Sequence, residues 1–449
     1  MAVAVQTAQI WRNFLCVFAQ DHPDFRLQEL LSLASISKCQ IKFDPTSYSV
    51  ENPFLVVQLQ SEECARKISS RAMLIKSMFE LWGWGRDYSE LETSISQEFP
   101  SQRMEPYTRN DYTFKVIGSG FSKKCTMERQ KEIYKKLSFL PLNGKVDVKN
   151  PTHEFYILED YGDHPNTAPE DPLRVFFGRL IARGQRHLIK HYAVKDRVFI
   201  GNTSMDAQLS LIMANQAQVK TGSLVFDPFA GTGSVLVACA HHGGHVMGAD
   251  IDKILLHGRG YSSRAGARKF RARGESVRAN LRQYGLEALY LDMLIADAAQ
   301  CVWREGELFD AIVTDPPYGV REGARKIGSK RATPNSITPE RAEGHIPAVR
   351  TYNLSDVYSD LVHFAARFLV MGGRLVYWVP GVKAEFSREL LPSHPCMELV
   401  CVSEQPLQTL VGRWLITMEK TAQWTPQADR VDLSSVELYE NFRKKYFAK

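Results

Sequence analysis

No apolar run in this 449-residue chain reaches the roughly 20 residues that a membrane-spanning helix needs. Cysteine is sparse and scattered. Cys16, Cys39, Cys64, Cys125, Cys239, Cys301, Cys396 and Cys401 include no Cys-x-x-Cys pair and no Cys/His cluster at zinc-ligand spacing. A disulfide framework and a zinc site are both excluded, and the thiols read as reduced, as in the cytosol or nucleus. Residues 1–20 are not expected to act as a secretory leader, because Arg12 and Asn13 interrupt the apolar stretch one requires. Charge of one sign is scarce too: 56 Lys plus Arg face 50 Asp plus Glu, an excess of six that cannot identify a polyanionic partner by itself. What remains is globular composition, 44% hydrophobic and 24% charged, over a length that calls for two or three domains.

The first half alternates short strands with amphipathic helices. Strands at 13–18 and 54–59 and helices at 25–34 and 61–71 make a small α/β module, assigned to residues 1–85. A second unit over 86–180 has an extended segment at 112–117, a Lys- and Glu-rich helix at 127–139, and strands at 146–148 and 154–159, with Asn150-Pro151 marking the turn between the last two. Pro165, Pro169 and Pro172 make 161–172 a turn-rich connection. An apolar strand follows at 174–181, and residues 181–198 read as a linker. From 199 to 449 strands alternate with helices, the pattern of a parallel sheet covered on both faces.

Residues 223–226 form a short apolar run that leads at once into Asp227-Pro228-Phe229-Ala230-Gly231-Thr232-Gly233-Ser234 and a helical pattern over 235–241. Strand, glycine loop, helix is the order a cofactor cradle needs. Gly231 and Gly233 can take positive φ and let a ligand lie on the loop backbone, while amides at the helix start can hold a carboxylate. Asp227 stands where it can take up a positive charge. An ammonium beside a carboxylate describes the methionine half of S-adenosylmethionine better than a phosphate. A phosphate loop would end in Gly-Lys-Ser/Thr, and the dinucleotide fingerprint fails because Leu236 replaces its third glycine. The next strand, 245–249, ends in Asp250-Ile251-Asp252, about 20 residues past the glycines, where such folds place a carboxylate on the ribose hydroxyls. Asp250 is assigned that role with Asp252 as alternate, Ile251 packs on the adenine, and Asp297, after a strand at 291–295, accepts from the adenine amino group. A lone acid of this kind more often ends a strand or caps a helix, but three behind one glycine loop favour ligand contacts.

An apolar strand at 309–313 enters Thr314-Asp315-Pro316-Pro317-Tyr318-Gly319. Two prolines stiffen this loop and remove two backbone donors. The Asp315 carboxylate and Pro316 carbonyl can then both accept from an NH₂ group, orienting its lone pair and favouring the positive charge that grows on nitrogen. Tyr318 offers a face for a base drawn out of its stack. Neither a metal nor a covalent intermediate is needed. Cys396 lies too far along the chain to be read as a nucleophile beside this loop. A rigid turn is the bland alternative, and the glycine loop upstream outweighs it.

With both motifs in place, residues 199–449 resemble the class I methyltransferases that act on exocyclic amino groups. The Lys145-Val146-Asp147-Val148-Lys149-Asn150-Pro151 stretch resembles the end of a THUMP domain. Together with Gly201-Asn202-Thr203-Ser204-Met205-Asp206, His257-Gly258-Arg259-Gly260 and Asn280-Leu281-Arg282-Gln283-Tyr284-Gly285-Leu286, these motifs resemble the THUMP-type tRNA guanosine N2-methyltransferases, the eukaryotic catalytic subunits acting on guanosine 10. The resemblance implies a Rossmann-like, seven-strand fold, S-adenosylmethionine as cofactor with Phe229 and Thr203 among its contacts, THUMP-guided docking on tRNA, cytoplasmic location, and a heterodimer with a small zinc-binding activator subunit. Residues 372–378 should supply a late strand and 413–419 the antiparallel final one.

Between Lys253 and Arg282 nine basic residues meet one acid, Glu275. Such a run is commonly a solvated face, yet beside the site of a base-modifying enzyme it suits phosphates. It reads as a surface insertion with Arg264, Arg268, Lys269, Arg271 and Arg273 on the RNA. A second basic segment, 321–350, contributes Arg321 and Arg325. The rival readings are a related enzyme with another RNA target and a non-catalytic RNA-binding subunit.

Overall fold

In the computed structural model the described residues are 11–261, 270–318, 323–328, 348–426 and 446. The chain divides into two compact units, Met1–Arg186 and His187–Lys449.

The first unit is built on one eight-stranded sheet. Its strands are β1 (Arg12–Phe18), β2 (Ile41–Lys42), β3 (Phe54–Leu59), β4 (Ile75–Gly85), β5 (Thr113–Phe121), β6 (Lys145–Val146), β7 (His153–Asp160) and β8 (Arg174–Arg183), in the order β2-β3-β1-β4-β8-β7-β5-β6. Strand β4 pairs antiparallel with β1 on one side and with β8 on the other. The ladder therefore runs unbroken across the boundary expected at residue 85, and the two expected N-terminal domains share a backbone scaffold. What looked like two modules is two clusters on one face. Helices α1 (Arg26–Ile36) and α2 (Glu62–Ser69) cover Phe14, Cys16, Val57 and Met78. Helices α3 (Tyr88–Glu98), α4 (Ser101–Thr108) and α5 (Met127–Lys136) cover Trp82, Phe155 and Phe177. Each of α2, α3 and α5 starts where a side-chain oxygen can take an orphan amide: Ser61 from Cys64, Asp87 from Ser89 and Glu90, Thr126 from Arg129.

The second unit holds β9 (Leu224–Asp227), β10 (His245–Asp250), β11 (Tyr290–Ile295), β12 (Phe309–Thr314), a small ribbon of β13 (Arg325–Ile327) and β14 (Val349–Thr351), then β15 (Leu369–Val382), β16 (Met397–Pro406) and β17 (Val411–Lys420). Seven of these form a sheet in the order β11-β10-β9-β12-β15-β17-β16. Strands β11, β10, β9, β12 and β15 run parallel, and β17 lies antiparallel between β15 and β16. The order reverses at β9, so the carboxyl ends of β9 and β12 open a crevice. Helix α8 (Ser234–His241) is buried from Ser234 through Ala240, as expected where a parallel sheet is covered.

Residues 181–198 are not a free connection. Positions 181–183 complete β8, helix α6 (His187–His191) buries Leu188, and Arg197 is 2% exposed, donating to Ser234 Oγ at 2.8 Å and to the Tyr192 carbonyl at 3.0 Å. Burial lowers the pKa of that guanidinium. These bonds fasten the segment to the start of α8. The stretch 253–282, expected as a surface insertion, carries helices at both ends, α9 (Lys253–Leu256) and α10 (Val277–Gln283), and helix α7 (Ala207–Gln216), earlier in the unit, is buried throughout.

Trp82 is fully buried, stacked on Phe99 at 4.5 Å and edge-on to Phe155 at 5.0 Å. Trp82→Ala should destabilise the chain by about 3–5 kcal/mol, read from denaturant unfolding. A loss below about 1 kcal/mol would contradict this packing.

Candidate active site

A cavity of about 470 Å³ opens at the carboxyl ends of β9, β10 and β12. It is walled by Asp227, Phe229 and Gly231 of the glycine loop, by Asp250, Ile251 and Asp252 after β10, by Thr203, and by Asp315, Pro316, Pro317 and Tyr318 after β12. The two loops on which the sequence argument rests thus face one chamber.

One hydrogen bond fixes their spacing. The Thr314 hydroxyl, at the end of β12, donates to Asp227 Oδ1 at 2.6 Å, and the same oxygen accepts from the Phe229 amide at 3.0 Å. Asp227 is 2% exposed, and burial holds its carboxyl up at about 7, with Asp250 and Asp315 adding repulsion. Asp315 is raised to about 6 by burial, opposed by Arg413. Asp250 is raised by burial against the amides that bond it. Three carboxylates around one chamber are costly without a cation, and a ligand bearing a sulfonium and an ammonium relieves that cost.

Asp250 Oδ2 accepts the Gly231 amide at 2.9 Å and Oδ1 accepts the Asp252 amide at 2.8 Å. Each oxygen keeps a second lone pair for a ribose hydroxyl. The Gly231 amide is therefore taken by Asp250, which leaves a ligand's carboxylate to the amides at the helix start. Asp252 caps α9, accepting from Ile254 at 2.9 Å and Leu255 at 3.0 Å, so the capping role and a place in the cavity wall coexist. The two glycines differ. Gly231, at φ +51°, has nothing nearer its missing Cβ than Thr203 Oγ1 at 3.9 Å, and it faces the cavity. Gly233, at φ +75°, stands outside the cavity wall; a Cβ there would meet Val277 Cγ1 at 2.5 Å, so its role is close packing of α10 on the loop.

Asp297 departs from expectation. Ala296 and Ala298 line the chamber while Asp297 between them turns away into a hollow of about 30 Å³. Its carboxylate accepts the Ala299 amide at 2.9 Å and the Ile327 amide at 2.6 Å, so it holds the β13 ribbon and lies outside the wall of the larger cavity. That ribbon in turn contributes Arg325 and Val349 to the cavity wall.

Of the basic residues expected on RNA, Arg264, Arg268, Lys269 and Arg321 lie outside the described residues. Arg271 is corrected: its side chain is 4% exposed, donates to the Ile200 carbonyl at 2.8 Å, pairs with Glu275 at 3.2 Å and lies 4.8 Å over Phe199. Arg278 and Arg282 both clamp Glu287 at 2.7 Å. Arg273 is exposed.

The sequence reading missed Arg413. It sits on β17 in the cavity wall, with Nη1 3.4 Å from Asp315 Oδ2. A charged residue inside the run Val411-Gly412-Arg413-Trp414-Leu415-Ile416, all buried, was the available signal, since such a residue needs a partner. Asp315 Oδ1, by contrast, is buried with no hydrogen-bond partner.

The sheet order, the glycine loop and the acidic strand ends define a class I methyltransferase whose residues fit S-adenosylmethionine. Residues 195–332 match the family described as RMKL-like, methyltransferase domain, and residues 12–186 match the Tmrp11 THUMP N-terminal domain. The chain is 47% identical over 441 residues to the tRNA (guanine(10)-N(2))-methyltransferase TRMT11 of Mus musculus, covering 97% of this chain and 95% of that one. It is 46% identical over 443 residues to that of Homo sapiens, with the same coverages, and 35% identical over 437 residues to that of Dictyostelium discoideum, covering 92% and 83%. The chain belongs to the tRNA (guanine(10)-N(2))-methyltransferase family.

Two outcomes follow from this geometry. Because Asp227 is held up at about 7, well above the ~3.9 of an unfolded chain, its protonated form stabilises the fold below pH ~4, and that contribution is lost as pH rises through 7. Cationic cofactor binding runs the other way: affinity for S-adenosylmethionine should rise from pH 6 to 8, with proton release on binding near pH 6.5, both measured by titration calorimetry in buffers of different ionisation enthalpy. Asp227→Asn should flatten the profile, and an unchanged profile would remove the assignment. Gly233→Ala should cost about 1–3 kcal/mol through positive φ and the Val277 contact. Adding Val277→Ala should recover only part of the melting temperature, because the backbone strain stays.

Proposed function

We propose that this chain is the catalytic subunit of a cytoplasmic heterodimer that transfers a methyl group from S-adenosylmethionine to N2 of guanosine 10 in tRNA. The observation that carries the reading is Asp315, with Oδ2 held by Arg413 and Oδ1 buried and unpartnered in the wall that the Gly231 loop shares.

The cofactor, when bound, supplies an electrophilic methyl group. An exocyclic amine conjugated into guanine is a poor nucleophile, so the protein must orient it and stabilise the charge it gains. Asp315 Oδ1 accepts one N–H, the Pro316 carbonyl accepts the other, and the lone pair is left facing the methyl donor. As the N–C bond forms, the C–S bond breaks and the nitrogen gives up one proton, for which Asp315 is the adjacent acceptor. Pro317 keeps the turn rigid, and Tyr318 supplies the face on which the flipped guanine rests. Thr314 and Asp227 keep that acceptor at the right distance from the cofactor loop.

On the RNA side, exposed Arg273 and Arg325 in the cavity wall are assigned to tRNA phosphates. The small zinc-binding activator follows from the family resemblance, as does the cytoplasmic location. Two edges of the sheet suit a partner that adds a strand: β11 exposes Leu291 and Ile295, and β16 exposes Leu399 and Val400.

Incubation with tRNA and labelled cofactor, followed by nucleoside mass spectrometry and mapping, should give N2-methylguanosine at position 10. Asp315→Ala should lower kcat by at least about 100-fold while the chain still binds cofactor. Undiminished transfer by that variant would end the mechanism, and label at another nucleotide would end the stated specificity.

A further inference from the structure

We infer that Arg413 is a positioning residue for methyl transfer, its guanidinium holding Asp315 Oδ2 so that Oδ1 stays an unshared acceptor for the target amine. The inference rests on the function proposed for Asp315.

The guanidinium is gripped on three sides. Its plane lies over the Trp378 ring at 4.0 Å, Nε donates to Gln405 Oε1 at 2.7 Å, and Nη1 is 3.4 Å from Asp315 Oδ2 and 3.5 Å from the Tyr318 hydroxyl. The register of the sheet explains the grip, because Arg413 on β17 stands opposite Pro380 of β15 and Gln405 of β16. Trp378 is fully buried and Arg413 is 9% exposed, so the side chain has few alternative places to go. A lysine could supply charge there, but not the flat face on tryptophan together with two directed N–H groups.

Other charges around Asp315 do not duplicate this role. Asp227, reaching in from β9, repels Asp315. Tyr318 on the same loop and Tyr446 in the cavity wall are phenols. Lys383 and Glu404, on flanking segments, pair with each other at 3.4 Å. Asp250 and Arg325 belong to other parts of the wall. Among these groups, Arg413 is the cation that opposes the burial of Asp315. Two consequences follow for turnover. The carboxylate stays ionised to lower pH than burial alone would allow, and the loop Asp315-Pro316-Pro317-Tyr318 is fastened to the sheet at both its acid and its phenol.

The test is the pH profile of kcat at saturating cofactor, in the preparation that gives wild-type turnover on tRNA. Saturation removes Asp227 from the readout, because its part is cofactor binding. Arg413→Met should move the acid limb up by at least about one pH unit, so that kcat falls about tenfold near pH 5 and about twofold near neutral pH, and recovers to within about threefold of wild type by pH 9. KM for the cofactor should not change, and Arg413→Lys should bring the limb most of the way back. A uniform loss at every pH, an unmoved limb, or a loss confined to KM for tRNA would overturn the inference. If Arg413→Met does not fold, Gln405→Leu and Arg413→Lys decide it: a smaller upward shift in both supports the role, and an unmoved limb in both overturns it. A wild-type chain that makes no N2-methylguanosine would instead overturn the proposed function.

Discussion

The Thr314 hydroxyl bonded to the Asp227 carboxylate is the contact on which the rest of the site depends. It joins the last residue of one central strand to the last residue of its neighbour, and each of those residues opens a functional loop. Methyl transfer needs a donor and an acceptor in line at close range, a demand on distance more than on chemical variety. Adjacent parallel strands meet it, because their separation is set by backbone hydrogen bonds that side-chain changes barely alter. The buried acid can then serve twice, as a strut between loops and as part of a negative chamber awaiting a cation.

Much of the second unit was legible because its signals are local. A strand, a tight glycine turn and a helix start follow one another at 223–241, and the stiff Asp-Pro-Pro-Tyr loop follows its strand directly. Strand β4 was not legible. Its residues are buried on both faces from Met78 through Gly83, so the two-residue alternation that marks a half-exposed strand is missing. With that strand unseen, the continuity of the eight-stranded sheet was hidden, and a single scaffold read as two modules.

The partners of charged residues were hidden for a different reason. Arg271, Arg278 and Arg282 look alike in a count of basic residues, yet each is committed to an acid, Glu275 or Glu287, and Arg271 also to the Ile200 carbonyl some 70 residues away in the chain. The place of Asp297 was hidden for a related reason: backbone direction at 296–298 turns its carboxylate from the chamber to the β13 ribbon. Position along a strand identifies which residues arrive at the site; only side-chain direction decides which of them enter it.

The placing of β8 has a consequence for synthesis on the ribosome. This strand is the last of the first unit to be made, yet it lies in the middle of the sheet, between β4 and β7. Until it emerges, the open flank of β4 presents unpaired ladder groups beside Phe79, Leu81 and Trp82. Roughly 90 residues separate the two strands, which at ordinary elongation rates is on the order of 5–18 s of exposure. The nascent chain therefore carries a sticky edge through about half of the making of this unit, and a chaperone that shields β4 during that interval would act where the topology leaves the polypeptide most prone to aggregate.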